Sequence, residues 1–118
     1  MEKTTLDFVV EDRDGIRVIH VSGPLDSMTF DSCKAYLDPI VNQSRVRIVL
    51  DCQNLTYVNS HWVALLMHYQ RTAMKGFSYF GIAAFRQRIL KGIEMLGLGK
   101  YLTWSPTLEK AIETAAAM

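Results

Sequence analysis

Residues of strand-forming type make up two short segments near the start of the chain. Residues 8–11 and 16–22 are rich in β-branched and aromatic side chains, a composition typical of β-strands. Residues 12–15 between them read Asp-Arg-Asp-Gly, a tight-turn sequence whose glycine can adopt a positive φ. The pattern therefore predicts that the chain begins with a β-hairpin.

The spacing of the apolar residues becomes helical after residue 24. Asp26 or Ser27 is placed to cap the start of this helix. Pro39 lies inside the pattern, where it removes a hydrogen bond and clashes with the preceding turn, so we expect a kink or a restart near Asp38. The apolar positions that recur at spacings of three and four are Phe30, Cys33, Leu37, Ile40 and Val41.

The remaining segments alternate between strand and helix patterns. An apolar strand over residues 46–50, ending at Asp51, follows the first helix, and a strand, helix and strand in that order imply a parallel crossover. The later segments are a helix over 60–75 ended by Gly76, a strand over 77–83, a helix over 87–96, an extended piece over 101–104 and a final helix capped by Ser105 or Thr107. This order predicts one α/β domain over residues 1–118, with a mixed sheet of four to five strands, an N-terminal hairpin and helices packed against it.

Composition and charge exclude several classes of protein. The chain has 118 residues, 49% hydrophobic and 21% charged, as one soluble globular domain has. A formal net charge of +1 gives no long-range field for binding a phosphate backbone, so nucleic-acid binding is not favoured. We find no signal-peptide pattern and no apolar run of the ~20 residues that a membrane span needs, which predicts a cytoplasmic protein without membrane insertion.

The sequence gives little support for catalysis. The glycines near Lys100 do not form a phosphate-binding loop, because the position that must be glycine holds Glu94. His61 and His68 would stand roughly 10 Å apart on one helix, too far to share a metal ion. Cys33 and Cys52 are far apart in sequence and are expected to be small, reduced core residues. We therefore predict a protein that is not an enzyme and has neither cofactor nor metal.

One set of short motifs resembles the STAS domain of anti-sigma factor antagonists and covers nearly the whole chain. The resemblance implies a protein that binds a serine-kinase anti-sigma factor, displaces it from a sigma factor, and is switched off when the kinase phosphorylates Ser60. Where the family usually has Asp, Ser, Ser or Thr, then Gly, this chain has Asn59, Ser60, His61 and Trp62. The matching positions are Val21, Gly23, Leu25 and Asp26, residues 48–51, residues 55–60, Gly76 and residues 96–98.

The residues at the start of the second helix also have simpler interpretations. A helix N-terminus stabilises the charge of a phosphoserine, but Ser60 or Asn59 could equally cap the helix. Trp62 is either tucked under the preceding loop or exposed as a binding anchor. Asp26, which by analogy with the family lies near Ser60, is otherwise a helix cap. Met67 and Met74 are expected to pack in the core.

These considerations predict a docking surface formed by Asp26, Asn59, Ser60, His61 and Trp62 for a serine-kinase anti-sigma factor. A phosphatase acting on phosphorylated Ser60 is a further expected partner. The first alternative is a STAS scaffold subunit that is never phosphorylated and binds a transporter ATPase or a signalling complex. The second alternative is a small-ligand or nucleotide site near Ser60, for which the sequence has no phosphate loop.

Overall fold

The computed structural model describes residues 5–118 and contains four strands, four α-helices and one short 3₁₀ helix within them. The strands are β1 (Asp7–Arg13), β2 (Ile16–Leu25), β3 (Arg47–Val58) and β4 (Tyr79–Ala83). The helices are α1 (Phe30–Val41), α2 (Ser60–Lys75), α3 (Gln87–Met95), the 3₁₀ helix (Gly99–Tyr101) and α4 (Leu108–Ala116).

The strands form one mixed sheet in the order β1-β2-β3-β4. β1 and β2 are antiparallel, whereas β3 runs parallel to both β2 and β4. Asp14 and Gly15 both have positive φ in the turn between β1 and β2, and the Asp12 carboxylate accepts a hydrogen bond from the Gly15 N–H at 2.9 Å. The predicted α/β class and N-terminal hairpin are confirmed.

Helices cover both faces of the sheet. α1, α2 and α3 bury their apolar residues in a large core against one face, and α4 packs against the other through Ala111 and Ala115. Because successive residues of a strand point to opposite faces, Val49 contacts α4 while its neighbours Ile48 and Leu50 lie in the large core. Within the described part of the chain, no helix is long and apolar enough to cross a membrane.

β3 is longer than the sequence analysis predicts. The strand was expected to end at Asp51 and to be followed by a connection to the second helix, but β3 continues to Val58. Its second half pairs with the end of β2, where Gly23 is opposite Leu55 and Leu25 is opposite Val58, with shifts of register on the way. Pairing with β2 therefore extends β3 through residues that have no simple strand pattern of their own.

Two further expectations differ from the structure in detail. α1 is one continuous helix from Phe30 to Val41 with Pro39 in its last turn, so it does not restart near Asp38. The predicted extended piece over 101–104 does not form a fifth strand. The structure has a single parallel bridge between Ala83 and Ser105 there.

Several side chains differ in burial from the apolar pattern. Cys33 and Cys52 are both free thiols and buried, as expected, and burial raises the pKa of each. Met74, however, is 77% exposed rather than packed in the core, and Phe77 is 85% exposed and precedes β4 rather than beginning it. Both exposed residues lie at the C-terminal end of α2.

Candidate functional site

The candidate site lies at the end of the sheet where β2 and β3 finish. Leu25 of β2 is paired with Val58 of β3, and the main-chain N–H of Asn59 donates to the Leu25 oxygen at 3.2 Å. Asn59 alone separates β3 from α2. The start of α2 is thus held directly against the edge of the sheet, with no loop between them.

Asn59 is the residue that caps α2. Its backbone is extended, and its side-chain oxygen accepts a hydrogen bond from the Trp62 main-chain N–H at 3.0 Å. Its main-chain oxygen accepts the first bond of the helix, from Val63 at 3.1 Å. The sequence was compatible with either Asn59 or Ser60 as the N-cap of α2, and in the structure Asn59 is the N-cap.

Ser60 is the first residue of α2 and is exposed. Its hydroxyl group has no hydrogen-bond partner among residues 5–118. The N–H groups of Ser60 and His61 precede the first intrahelical bond, so they contribute to the partial positive charge at the helix N-terminus. The Ser60 oxygen is therefore accessible, and it stands where added negative charge is favoured.

Trp62 is fully buried beneath this surface. Its indole N–H donates to the main-chain oxygen of Asp26 at 2.9 Å, and its ring meets the edge of Phe30 with a centroid distance of 5.0 Å. Of the two predicted arrangements of Trp62, the structure therefore has the one in which the ring is buried. Trp62 supports the site from below by tying the end of β2 to α2.

His61 lies on the surface and stacks on Phe30, which begins α1. The two ring centroids are 4.0 Å apart and the rings are inclined by 17°. Phe30 therefore contacts both His61 and Trp62 and joins the starts of the two helices. The apolar pattern places Phe30 only on the buried side of α1, because the contact between two helix starts is not visible in the sequence.

Asp26 uses its carboxylate within its own turn. The carboxylate accepts hydrogen bonds from the main-chain N–H groups of Met28 at 3.0 Å and Thr29 at 3.1 Å. The Thr29 hydroxyl group in turn donates to the Pro24 oxygen at 3.1 Å. Asp26 therefore stabilises the turn before α1 and lies at the same end of the sheet as Ser60. The N-cap residue of α1 is Thr29, so the prediction that Asp26 or Ser27 caps this helix is wrong.

Two exposed apolar side chains flank this end of the sheet. Met28 is 89% exposed and Tyr57 is 52% exposed. Both are adjacent in sequence to residues that the sequence analysis examined, but neither was predicted as part of the site. In the described range, no group of three His, Cys, Asp or Glu side chains is arranged to hold a metal ion.

The fold and this site define a small α/β domain with an exposed serine at the start of a helix. A family model described as "Mlab, STAS domain" matches residues 9–108. Because this match covers most of the chain, the protein belongs to the STAS domain family. A search of curated proteins gave no match.

Solved structures of other proteins share the fold. An anti-sigma factor antagonist from Mycobacterium paratuberculosis is 26% identical over 95% of both chains, with a TM-score of 0.82. A sulfate transporter family protein from Wolinella succinogenes is 16% identical over 89% of this chain and 88% of that chain, with a TM-score of 0.69. The phosphorylated form of the Bacillus cell fate determinant SpoIIAA is 19% identical over 92% of this chain and 98% of that chain, with a TM-score of 0.61.

Proposed function

We propose that this protein is an anti-sigma factor antagonist that binds a serine-kinase anti-sigma factor and is switched off by phosphorylation of Ser60. In this proposal it is not an enzyme, acts in the cytoplasm and does not contact nucleic acid directly. The similarity to the antagonist from Mycobacterium paratuberculosis supports the general role. The existence of a phosphorylated form of SpoIIAA supports the type of switch.

The observation that supports the proposal most strongly is that Asn59 caps α2, while the neighbouring Ser60 is exposed and does not cap it. Because Asn59 caps the helix, the Ser60 hydroxyl group is available to a kinase without loss of the cap. A phosphate would add a charge of about −1.5 to −2 to an exposed position. Modification would therefore change the charge of the surface and leave the buried Trp62 in place.

The proposed docking surface combines Ser60 and His61 with the turn that contains Asp26, held in position by Asn59 and Trp62. His61 is stacked on Phe30, so its orientation is fixed before a partner arrives. A preordered surface loses less conformational entropy on binding. Phosphate on Ser60 would weaken docking by repulsion and desolvation, and a loss of 1.4 kcal/mol is about tenfold in affinity. A phosphatase would restore binding.

The experiment is a pull-down from the source cells with wild-type protein, Ser60→Asp and Ser60→Ala in parallel, followed by mapping of phosphate on the recovered wild type. Ser44→Asp is the matched control, because Ser44 is also exposed but precedes β3 at the opposite end of the sheet. We expect wild type and Ser44→Asp to recover a serine-kinase anti-sigma factor, and Ser60→Asp to recover at least tenfold less. Equal recovery by Ser60→Asp would contradict the proposal.

The Ser60→Ala variant tests the alternative of a scaffold subunit that is never phosphorylated and binds a transporter ATPase or a signalling complex. The similarity to a sulfate transporter family protein and the residues Asn59, His61 and Trp62 at the motif favour this alternative. In the switching model, Ser60→Ala binds permanently and escapes regulation. In the scaffold model, all variants hold the same partner and no phosphate maps to Ser60.

A further inference from the structure

A cleft of about 620 Å³ lies at the end of the molecule opposite Ser60. It is formed where the C-terminal end of α2, the first residues of β3 and β4, and the segment after α4 come together. None of the residues that the sequence analysis proposed as functional lies in it. The residues that line it include Arg45, Arg47, Met74, Phe77 and Tyr79.

The polar part of the cleft is cationic. Arg45 and Arg47 both line it, and among the described lining residues none is Asp or Glu. Arg47 donates from Nη2 to the main-chain oxygen of Met118 at 2.6 Å, so one of its five N–H donors is used within the protein and the other four remain for a ligand. The main-chain N–H of Arg45 donates to the Gly76 oxygen at 3.0 Å, but its guanidinium has no hydrogen-bond acceptor among residues 5–118. Two guanidinium groups in this setting favour an anionic ligand.

The apolar part of the cleft is exposed. Met74 is 77% exposed and Phe77 is 85% exposed, so neither side chain contributes its full area to the core. Tyr79 is half-buried at the start of β4, where it is paired in register with Arg47 of β3. The cleft therefore offers an aromatic and aliphatic wall beside its two cations.

The backbone conformation at Phe77 is unfavourable for a phenylalanine and lowers the stability of the folded state. Phe77 has a φ of 56° and follows the last turn of α2, where the Ser78 N–H bonds to the Ala73 oxygen at 2.7 Å and the Phe77 N–H to the Met74 oxygen at 3.3 Å. This is the helix ending at which glycine is preferred, because other residues are strained at positive φ. Neither conformation nor burial favours phenylalanine here. A strained, exposed aromatic side chain is the kind of feature that persists at binding sites.

We propose that this cleft binds a small organic anion, that is, a carboxylate, sulfonate or phosphate attached to an aromatic or aliphatic body. The anionic group lies between Arg45 and Arg47, and the body packs against Phe77 and Met74. The volume is within the range of about 300–1,000 Å³ that small-molecule sites have. This site is separate from the proposed docking surface at Ser60.

The test uses the fluorescent dye anilinonaphthalene sulfonate as the anionic probe. Phenylnaphthylamine has the same ring system without the sulfonate and serves as the neutral probe. We expect the anionic dye to bind wild-type protein at one site and at least tenfold more tightly than the neutral probe. Arg45→Gln should weaken dye binding about tenfold, as the loss of one charged hydrogen bond does. Arg71→Gln is the matched control, because Arg71 is exposed on α2 and does not line the cleft.

Phe77→Gly separates a binding role from a structural one. We expect this variant to bind the dye about tenfold more weakly and to have a higher melting temperature, since glycine suits the positive φ at this position. A lower melting temperature together with unchanged dye binding would show that Phe77 is structural. The proposal is also overturned if both probes bind equally, or if nuclear magnetic resonance shifts caused by the dye map to the Ser60 end of the sheet.

Discussion

Asn59 and Ser60 are adjacent residues with different roles at the start of α2. The Asn59 side chain holds the Trp62 N–H, while the Ser60 hydroxyl group faces outward. Replacement of Ser60 should therefore change partner binding and leave the stability of the fold almost unaffected. Replacement of Asn59 should mainly lower stability, because it removes the helix cap. The two residues can be separated by stability measurements alone.

At this position we expect Asn59→Ala to lower the free energy of unfolding by about 1 kcal/mol, as the loss of an N-cap does. Asn59→Asp keeps an oxygen acceptor for the Trp62 N–H and should remain close to wild type. Ser60→Ala should change stability by less than Asn59→Ala. Urea unfolding of the three variants measures this order. If Ser60→Ala is the more damaging variant, Ser60 and not Asn59 caps the helix.

The His61 and Phe30 stack offers a second prediction for single residues. His61→Ala removes a ring contact worth about 0.5–1.5 kcal/mol from a side chain that lies on the surface. We expect weaker recovery of the partner with only a modest loss of stability, measured by pull-down and by thermal melting. His68→Ala, a change of an exposed histidine further along α2, is the control. Equal recovery by both variants would exclude His61 from the docking surface.

Among the elements, β2 depends on a close approach by the segment that precedes β1. Gly23 has a φ of 109°, and a Cβ atom added there would lie 2.2 Å from the Thr5 main-chain oxygen. Residues 5 and 6 therefore pass directly over β2 near the site. Only glycine permits this crossing, because the neighbouring atoms are main-chain atoms that cannot turn away.

The two positive-φ glycines of the hairpin region give a matched pair of variants. Gly15→Ala introduces strain of about 1–2 kcal/mol, since φ is 84° but no atom lies within 4 Å of the added carbon. Gly23→Ala adds a steric clash to the same strain, and we expect it to cost about 3 kcal/mol or more. Denaturant unfolding compares the two. Equal losses would show that residues 5 and 6 do not pack on β2.

Across the whole sheet, His20 ties three strands together. Its Nε2 is 2.6 Å from Glu11 of β1, and its Nδ1 is 2.6 Å from Asp51 of β3. Burial acts to lower the pKa of His20, but the hydrogen bonds to the two carboxylates outweigh it and raise the pKa above 6.5. The hydrogen bonds of Glu11 with Arg13 and then with His20 lower the pKa of the Glu11 carboxyl group below 4.5.

These directions fix the sign of a pH dependence. The folded state binds the His20 proton more tightly than the unfolded state, so this contribution is fully present below pH 6.5 and is lost as the pH rises through the folded pKa. The Glu11 contribution is lost as the pH falls below 4.5 through its folded pKa. We expect the stability difference between wild type and His20→Gln to be largest between these limits and to shrink above them. His68→Gln is the control. If urea unfolding gives the same difference at about pH 5.5 as at a pH well above the folded pKa of His20, the assignment is wrong.

Features that depend on local pattern are predictable from the amino-acid sequence. The hairpin follows from residues 12–15. α2 has the predicted bounds of residues 60–75, although the positive φ that ends the helix falls at Phe77 and not at Gly76. The family motifs pointed to Ser60 and to the correct fold. Such features need only neighbours in the chain.

Features that depend on contacts between distant segments could not be predicted and are known only from the three-dimensional fold. β3 extends to Val58 because β2 lies beside it, and Trp62 is buried because the Asp26 oxygen and Phe30 are within reach. Whether Asn59 or Ser60 caps α2 also required the three-dimensional structure, since both residue types are suitable caps. The cleft beside Phe77 was not predicted, because its cations and its apolar wall come from separate elements that meet only after folding.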